Sequence, residues 1–401
     1  MRHIIRQKKA GESIWCNFLK CINYETKDGQ TDMRVLVFGM SGRLTGGIET
    51  FLLNMSKFMS SECIFDYVIM DGMNIHSETI RKNGGKSYAV TPLRENPLRS
   101  FVMLYKVIRK NRLSHPVAYF NLFSMVHVVP ILLCRISGYR IVLHAHNSNL
   151  QQNSRLYRFV HKTGRLLLER MKCLRITNSP ASAAFMFGKG SKAGIVYNAI
   201  DVDRFRFNPG IRKKVREEYG LGKKIVVGFS GRLSSPKNPL FLVEIFNEFH
   251  KLCGDSVLMI AGDGELSEAM KKKVGEYGLI KDVIFLGHVK DVEKYYQAFD
   301  LFIMPSHFEG FGIALVEAQS AGLPVVTSKD VVPAIATVTK QCKRVSVKSP
   351  AKIWAADSMK LFREWEGMNR DDAYEIMKSS KYNIRRESRK LEYLLMREGK
   401  R

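Results

Sequence analysis

The feature that most constrains the fold is a repeated alternation of short apolar strands with amphipathic helices. Residues 33–38 (MRVLVF) have the composition of a buried strand, and the glycine-rich segment SGRLTGGIE follows. The next residues, ETFLLNMSKFM, carry apolar side chains at helical spacing. A strand, a glycine loop and a helix in this order begin a doubly wound parallel sheet. Further strands are predicted in FDYVIM, KSYAVTP, PVAYFN, RIVLHAH, LRITNS and GIVYNAID.

A second series of alternating elements begins near Lys224. Its predicted strands are KIVVGFS, SVLMIAGDG, DVIFLG, LFIMPS and LPVVTS, separated by helical segments such as PLFLVEIFNEFHKL and FGIALVEAQSAG. Each half therefore predicts its own parallel α/β layer, joined near the turn residues of NAIDVDRFRFNPG. We expect four parts, which are a basic N-terminal extension (1–32), a first domain (33–204), a second domain (205–372) and a charged helical tail (373–401).

The charge of the chain is strongly positive and unevenly distributed. The whole chain carries a net charge of +26, and its first 200 residues hold 29 Lys and Arg against 11 Asp and Glu. Such a field attracts nucleic acid, anionic lipid or phosphorylated substrates. A nucleic-acid-binding protein would interleave these cations with stacking aromatics or use a known module. Neither pattern is found, so we expect no nucleic-acid partner.

The sequence also bears on the compartment. No apolar run reaches the ~18 residues that a membrane-spanning helix needs, and no apolar segment typical of a secretory signal follows the basic N-terminus. The seven cysteines include no C-x-x-C pair, which favours a reducing compartment. We therefore expect a cytoplasmic protein.

Two carboxylates, Glu309 and Glu317, bracket the segment EGFGIALVE at the start of a predicted helix. Eight helical residues separate them by ~12 Å, which exceeds the ~5–9.5 Å of a glycosidase carboxylate pair. The spacing suits a nucleotide sugar, whose ribose and sugar hydroxyls lie on either side of a diphosphate. The alternative is a capping acid followed by an exposed helix acid. Backbone N–H groups at the helix start would bind the phosphates, and they belong to Gly310, Phe311, Gly312 and Ile313.

The segment EGFGIALVEAQSAGLPVV resembles the E-x7-E signature of retaining glycosyltransferases of family 4, which have the GT-B fold. Upstream, GFSGRLSSPKNP resembles the family's G-R-L…K segment, LMIAGDGEL its strand and turn, and FLGHV the strand end that binds the base. The segment GGIETFLLNM matches in the first half. The resemblance covers residues 33–330 and is greatest to bacterial capsular and exopolysaccharide transferases. Ala199 and Ala334 depart from the family pattern, which has glycine at the first position and often an acid at the second.

This resemblance implies a hexosyltransferase-type enzyme that uses a UDP-sugar and needs neither a cofactor nor a metal. Two Rossmann-like domains would face each other across a cleft, the first binding the acceptor and the second the donor. Glu317 would hold the ribose, and Glu309 would hold hydroxyls of the donor sugar. Arg232 and Lys237 would stabilise the departing diphosphate beside the turn glycine Gly231.

The first half contributes a glycine pair and two histidines to the expected site. Gly46 and Gly47 precede a helix, and in the family this loop faces the donor phosphates. His146 is expected at the sugar, and His144 is expected as a second donor contact on the same strand face. One alternative is a metal-binding histidine pair, but no third ligand of clear spacing is nearby. The other is an ordinary core or edge histidine, which is the commoner fate of a single histidine.

Other activities remain alternatives to glycosyl transfer. The segment 201–203 (DVD) superficially resembles the D-x-D metal site of the other large transferase fold, and we interpret it as a turn between the domains. A GT-B epimerase would act without an acceptor. A phosphorylase would carry a pyridoxal-phosphate lysine motif, which is not found.

The acceptor is expected to be a saccharide or a lipid-linked saccharide, since capsule-type acceptors are commonly lipid-linked. Residues 81–112 hold nine basic residues and one acid. Within this range Phe101, Leu104 and Ile108 have helical spacing near Arg109. The pattern predicts a basic amphipathic helix on the anionic inner face of the plasma membrane, and packing of that helix on the sheet is the alternative.

Overall fold

Two parallel β-sheets, each covered by helices, organise the chain. The structure is a computed structural model that describes residues 32–43, 46–126, 128–147, 154–309, 312–332 and 334–400. Residues 33–401 form one compact unit, which contains both sheets. All but the last residue of the predicted extension 1–32 lie outside the described residues.

Seven parallel strands form the first sheet in the order β3-β2-β1-β4-β5-β6-β7. The strand order reverses between β1 and β4, and in open α/β sheets such a reversal opens a crevice for ligands at the carboxyl ends of the strands. The strands are β1 (Met33–Phe38), β2 (Cys63–Ile69), β3 (Ser87–Ala89), β4 (Val117–Leu122), β5 (Arg140–Ala145), β6 (Leu174–Thr177) and β7 (Gly194–Ile195).

Both faces of the first sheet are covered because alternate strand residues point to opposite sides. Val35 and Val37 belong to the core on one face, and Leu36 and Phe38 to the core on the other. Helices α3 to α6 all contribute to the second of these cores. The helices of this half are α1 (Gly47–Phe58), α2 (Ser77–Lys82), α3 (Pro97–Asn111), α4 (Val128–Ile136), α5 (Arg155–Glu169) and α6 (Pro180–Phe187).

Six parallel strands form the second sheet in the order β10-β9-β8-β11-β12-β13. Its strands are β8 (Ile225–Ser230), β9 (Ser256–Ala261), β10 (Val283–Gly287), β11 (Leu301–Met304), β12 (Val325–Ser328) and β13 (Cys342–Val345). Its helices are α7 (Val202–Phe205), α8 (Pro209–Glu218), α9 (Pro239–Leu252), α10 (Ser267–Glu276), α11 (Val292–Ala298), α12 (Ile313–Ser320) and α13 (Ala351–Trp365). The prediction of two doubly wound Rossmann-like layers is confirmed.

The C-terminal residues divide between the two cores. Helix α14 (Asp371–Ser379) packs against α12 and α7, and its Tyr374 belongs to a core of the second sheet. Helix α15 (Ile384–Lys400) returns to the first sheet, where Leu391 and Leu395 are fully buried. Glu387 of α15 also accepts a hydrogen bond from the backbone N–H of Tyr197 at 2.8 Å. The described residues of the predicted tail, 373–400, therefore pack on the cores of both sheets.

The helices of this fold are short or amphipathic. Among the described residues, no helix combines the length and the hydrophobicity that crossing a bilayer requires.

Candidate active site

A cavity of about 640 Å³ lies at the carboxyl ends of β8, β9 and β10. This is the end of a parallel sheet at which α/β proteins bind ligands. Glu317, from helix α12, forms part of the same wall as the loop after β8. The lining residues are Ser230, Gly231, Arg232, Ala261, Gly262, Asp263, Gly264, His288, Val289, Val292 and Glu317. The structure thus brings together three residues that the sequence predicted for donor binding, Gly231, Arg232 and Glu317.

Close backbone contact between two glycine loops shapes this cavity. Gly262 has φ +149°, and a Cβ atom there would lie 1.9 Å from the carbonyl oxygen of Gly231. A side chain at Gly262 would therefore separate the loops that follow β8 and β9. The N–H groups of Gly231 and Gly262 donate to the carbonyls of Ala261 and Gly287, so the two loops are fixed to the strand ends that form the cavity.

The two predicted cations both have carboxylate partners in the structure. Arg232 is largely exposed, and its Nε lies 3.2 Å from an oxygen of Glu265. Lys237 forms an ion pair with Glu309, whose other oxygen accepts the backbone N–H of Gly312 at 3.1 Å. Each cation is thus held by a carboxylate, and an incoming anion can compete for the cation.

Glu309 and Lys237 lie outside the cavity lining but next to the start of α12. Gly312 caps this helix with φ +78°, a left-handed conformation that favours glycine. Ile313 is the first helical residue and is half-buried against the second-domain core. Gly310 and Phe311 lie outside the described residues, so their predicted phosphate contact stays a prediction.

Glu317 is positioned by a buried tyrosine that the sequence did not indicate. The hydroxyl of Tyr296, in α11, donates to Glu317 at 2.9 Å, and the Tyr296 side chain is buried. Burial raises the pKa of Glu317 to about 7, and the hydrogen bond from Tyr296 opposes that rise. Glu317 therefore titrates near neutral pH at the wall of the cavity.

On the first domain, His146 is half-buried and His144 is fully buried. Their rings lie 4.1 Å apart, as side chains on one strand face should, and Phe51 packs edge-on against both. The Nδ1 of His144 bonds to the hydroxyl of Tyr119 at 2.5 Å. His144 has no exposed surface in this structure, and its predicted contact with the donor stays a prediction.

Two asparagines hold His146. Asn121 donates its amide to the carbonyl of Phe38 at 3.2 Å, so its oxygen is the atom that faces Nε2 of His146, at 2.9 Å. Asn178 donates to the backbone carbonyl of His146 at 3.0 Å. Burial lowers the pKa of His146 to about 3, so the ring is neutral. Nε2 therefore carries the hydrogen, and Nδ1 is left as an acceptor.

The glycine loop of the first domain is fastened by a buried carboxylate. Glu49 accepts the backbone N–H of Ser41 at 2.8 Å and that of Gly46 at 2.9 Å. Gly46 caps α1, and a Cβ atom at Gly47 would meet nothing within 4 Å. Glu49 thus ties Ser41 to Gly46, at the two ends of the glycine loop. Space is left beside Gly47, the first residue of α1. The sequence motifs indicated the two glycines but not this acid.

The turn between the domains has a structural role. Asp203 accepts from the Tyr374 hydroxyl at 2.7 Å and from Arg385 at 3.0 Å, so its two oxygens bind to the C-terminal helices. Asn238 is the only non-glycine residue with positive φ in the described part of the chain. The position of Ala199 therefore does not require the glycine that the family usually has there.

Helix α3 packs on the sheet, which was the alternative interpretation of the basic segment 81–112, and its membrane contact stays a prediction. Leu104 and Ile108 are buried in the sheet core, as in an ordinary α/β helix. Phe101 remains 46% exposed on the outer side, near Arg109. The helix therefore packs on the sheet with one face and also exposes apolar surface to solvent.

Comparison with known proteins supports the same class of enzyme. Residues 211–376 match the family model described as glycosyl transferases group 1. A putative glycosyltransferase EpsF of Bacillus subtilis (strain 168) is 26% identical over 329 residues, covering 79% of this chain and 84% of EpsF. An Escherichia coli protein named UDP-Gal:alpha-D-GlcNAc-diphosphoundecaprenol alpha-1,3-galactosyltransferase is 28% identical over 243 residues, covering 58% of this chain and 62% of that protein.

Solved structures show the same architecture. Anabaena HepE in complex with UDP superposes with a TM-score of 0.76 at 19% identity, over 91% of this chain and 100% of that chain. WaaG, a glycosyltransferase involved in lipopolysaccharide biosynthesis, superposes with a TM-score of 0.65 at 14% identity, over 90% of this chain and 99% of that chain. At these identities the likeness shows the fold alone.

Two Rossmann-like domains, with a polar cavity at the strand ends of the second, define the GT-B fold. The matching family model and the glycosyltransferase relatives support an enzyme of the hexosyltransferase class, similar to the family 4 type that the motifs resemble.

Proposed function

We propose that the chain transfers a hexose from a UDP-sugar to a saccharide or lipid-linked saccharide during surface polysaccharide synthesis. The observation that carries this proposal is the cavity at the ends of β8 to β10, which has Arg232 and Glu317 in its wall. HepE, which has the same fold, was solved with UDP and with UDP-glucose. The E. coli relative is named for a UDP-galactose donor and an undecaprenol-linked acceptor.

The donor would lie with its nucleotide in this cavity. Glu317 would accept hydrogen bonds from the ribose hydroxyls, and the backbone near His288 and Val289 would border the base. Arg232 would exchange Glu265 for the diphosphate, which carries two negative charges in total and can accept two hydrogen bonds from one guanidinium. The diphosphate would extend toward the start of α12, where N–H groups and the helix dipole favour negative charge.

The transfer would proceed with retention of the anomeric configuration. The bond between the sugar C1 and the diphosphate oxygen breaks, and a bond forms from C1 to the acceptor oxygen on the same face. The departing phosphate oxygen takes the proton of the acceptor hydroxyl, so no protein nucleophile is assigned. Arg232 and Lys237 would stabilise the negative charge that develops on the diphosphate.

Two residues would orient the sugar. Glu309 lies beside Lys237 and would accept hydrogen bonds from the sugar hydroxyls once Lys237 turns toward the phosphate. His146, with Nδ1 as its acceptor, would receive a hydrogen bond from a hydroxyl of the sugar or of the acceptor. Both groups position the reacting atoms, and neither forms a covalent bond to the substrate.

We further propose that the enzyme works in the cytoplasm, at the inner face of the plasma membrane. Cys63, Cys134, Cys173, Cys253 and Cys342 are free thiols in the structure, which suits a reducing compartment. A lipid-linked acceptor would bring the enzyme to the bilayer.

A thermal-shift screen of UDP-, GDP- and ADP-sugars tests the donor assignment. A ligand at 100 times its Kd stabilises the folded protein by ~2.7 kcal/mol, and we expect the largest shift with a UDP-sugar. Glu317→Ala should reduce that shift, whereas the exposed Glu276→Ala, on α10, should not. An unchanged melting temperature with every nucleotide sugar would contradict the proposal. Sugar release or conversion without any acceptor would indicate an epimerase instead.

A further inference from the structure

Helix α5 exposes a continuous apolar stripe to solvent. Leu156 is 72% exposed, Phe159 65%, Leu166 53% and Leu167 63%. At 3.6 residues per turn, these four positions lie on one face of the helix. The face opposite is fixed to the domain, since His161, Gly164 and Leu168 are buried there. The stripe therefore points away from the core.

The inner side of α5 leaves this helix little freedom to turn. The backbone N–H of Met125 donates to Nδ1 of His161 at 3.1 Å. A Cβ atom at Gly164 would lie 2.0 Å from the carbonyl oxygen of Met125. Close packing at both positions fixes which face of α5 is outward.

Basic side chains run beside the apolar stripe. Arg155, Arg158 and Lys162 are exposed on the adjacent face of α5, and Glu169 is the only acid in the helix. The same acid is the only one between Asn96 and Ile200, against 16 Lys and Arg. An apolar stripe flanked by cations is the pattern of helices that lie in the headgroup region of a bilayer.

Helix α3 has the same arrangement on the same side of the domain. Leu98, Phe101 and Tyr105 are exposed, while Leu104 packs in the core that α5 also shares through Leu168. Because both helices cover one face of the first sheet, their outer faces point away from it together. We call the exposed apolar and basic side chains of these two helices the α3/α5 face.

We propose that the α3/α5 face binds an anionic lipid surface. The apolar stripes would enter the headgroup region, and the cations would pair with lipid phosphates. This proposal rests on the proposed function in one respect, because a lipid-linked acceptor requires the enzyme at a bilayer. Beyond the proposed function, the present proposal names the surface of the first domain that contacts the bilayer.

Charge favours an anionic bilayer over two other candidates that could cover the α3/α5 face, which are a second copy of the chain and residues 1–31. A second copy of the chain would bring an equally basic face against this one, and like charges repel. Residues 1–31 carry six Lys and Arg against three acids, so they too are basic. An anionic bilayer offers an apolar interior to the exposed stripes and negative lipid phosphates to the basic side chains.

Vesicle sedimentation of the full chain tests the proposal. We expect binding to phosphatidylcholine vesicles that contain phosphatidylglycerol, little binding to phosphatidylcholine alone, and weaker binding as salt is raised. Replacing Arg155, Arg158 and Lys162 by Glu should lower the partition coefficient at least ~100-fold, since each cation near an anionic surface contributes a factor of ~5. Arg109→Glu with Lys110→Glu on α3 should lower it by a smaller factor.

The apolar stripe is tested by Leu156→Gln with Phe159→Gln, which should also release the protein from vesicles. Matched controls lie on the second domain. Leu252→Gln with Ile280→Gln changes two exposed apolar residues, and Lys213→Glu with Lys272→Glu reverses two exposed cations. Both controls should bind vesicles as the unmodified chain does. Because all changed side chains are on the surface, unchanged melting temperatures verify folding.

Three results would overturn the proposal. The first is an unmodified chain that stays in the supernatant with anionic vesicles at low salt. The second is equal loss of binding in the second-domain controls. The third is a dimer that the α5 variants convert to a monomer, which would assign the face to a second copy. Sedimentation is measured without donor or acceptor, so it reports independently of the thermal shift with UDP-sugars that tests the proposed function.

Discussion

The candidate site histidine of the first domain is neutral, whereas the two candidate site cations of the second domain are charged and ion-paired. On the first domain, His146 is half-buried and neutral, and it is hydrogen-bonded to Asn121 and Asn178 in a polar but uncharged setting. On the second domain, Arg232 and Lys237 are charged and paired with carboxylates at or near the surface. The first side is fixed before any ligand arrives, whereas the second must exchange partners when a ligand binds.

This difference has a physical reason. A neutral hydrogen-bonded group in a buried position keeps one orientation at little cost, provided that its partners are satisfied. A partly buried cation such as Lys237 is costly without a partner, and Glu309 supplies that partner, whereas Arg232 is largely exposed and pairs with Glu265 at the surface. Under the proposed function, the ion pairs of the second domain would keep the cations in place until a phosphate binds, and the first domain would supply a rigid surface for the acceptor.

The largest effect is expected on the charged side. Glu309→Ala and Arg232→Ala should each lower turnover by ~10²-fold or more, because each removes charge or orientation where negative charge develops. Initial rates of acceptor-dependent transfer at saturating donor measure this. Glu265→Ala is the control, since it frees Arg232 from its partner without removing the cation. Near-normal turnover in both site variants, with folding intact, would remove these residues from the site.

The neutral side should respond less, and its response should depend on pH. Asn121→Leu leaves Nε2 of His146 without its partner and should lower turnover by ~10-fold. Asn121→Asp places a carboxylate beside the ring and raises the pKa of His146. The rate of Asn121→Asp should then fall at low pH, as the imidazole gains a proton, while the rate of the unmodified enzyme depends less on this group. An identical pH profile for both proteins would show that Asn121 does not set the state of His146.

Donor affinity should vary with pH through Glu317. Its pKa is raised to about 7, so the carboxyl is protonated below that pH and ionises as the pH rises. The KM for the donor should therefore fall several-fold between about pH 6 and 8, because only the carboxylate accepts from both ribose hydroxyls. Tyr296→Phe removes a hydrogen bond that lowers this pKa, so the inflection should move to higher pH. Glu317→Gln should abolish the inflection, and its persistence there would assign it to another group.

The smallest effect is expected from metal removal. Two cations are available for the diphosphate, and Asp203 is bound to Tyr374 and Arg385, so transfer should continue at an unchanged rate in EDTA. The control is the same assay with added Mg²⁺ or Mn²⁺. A complete loss that either ion restores would make Asp201 and Asp203 candidate ligands.

The fold could be predicted because its strands are local apolar segments. Residues 33–38 and 225–230 are strands in both the prediction and the structure, since runs of Val, Ile and Phe between glycine turns admit few other conformations. Helix α5 was not predicted. Its apolar residues lie on two faces, one toward the core and one outward, and this hides the usual single-stripe pattern.

Residues of the candidate site could be predicted only where they belong to a motif within one short stretch of sequence. Glu309, Glu317 and Arg232 came from motifs within short stretches of sequence. Tyr296 and Asn121 were missed, because each acts on a residue more than 20 positions away along the chain. The full burial of His144 and its bond to Tyr119 of the neighbouring strand were likewise not visible in the local sequence. Contacts across strands and helices carry no local sequence signal.

The central claim is that the charged second domain binds the nucleotide and the neutral first domain does not. Calorimetric titration of UDP, without any sugar, into the unmodified enzyme, Arg232→Ala and Asn121→Leu tests this most directly. We predict that Arg232→Ala weakens UDP binding by ~10-fold or more, the value of a charge-assisted hydrogen bond to phosphate. Asn121→Leu should bind UDP with an unchanged Kd. Normal UDP binding by Arg232→Ala together with a loss in Asn121→Leu would contradict the account.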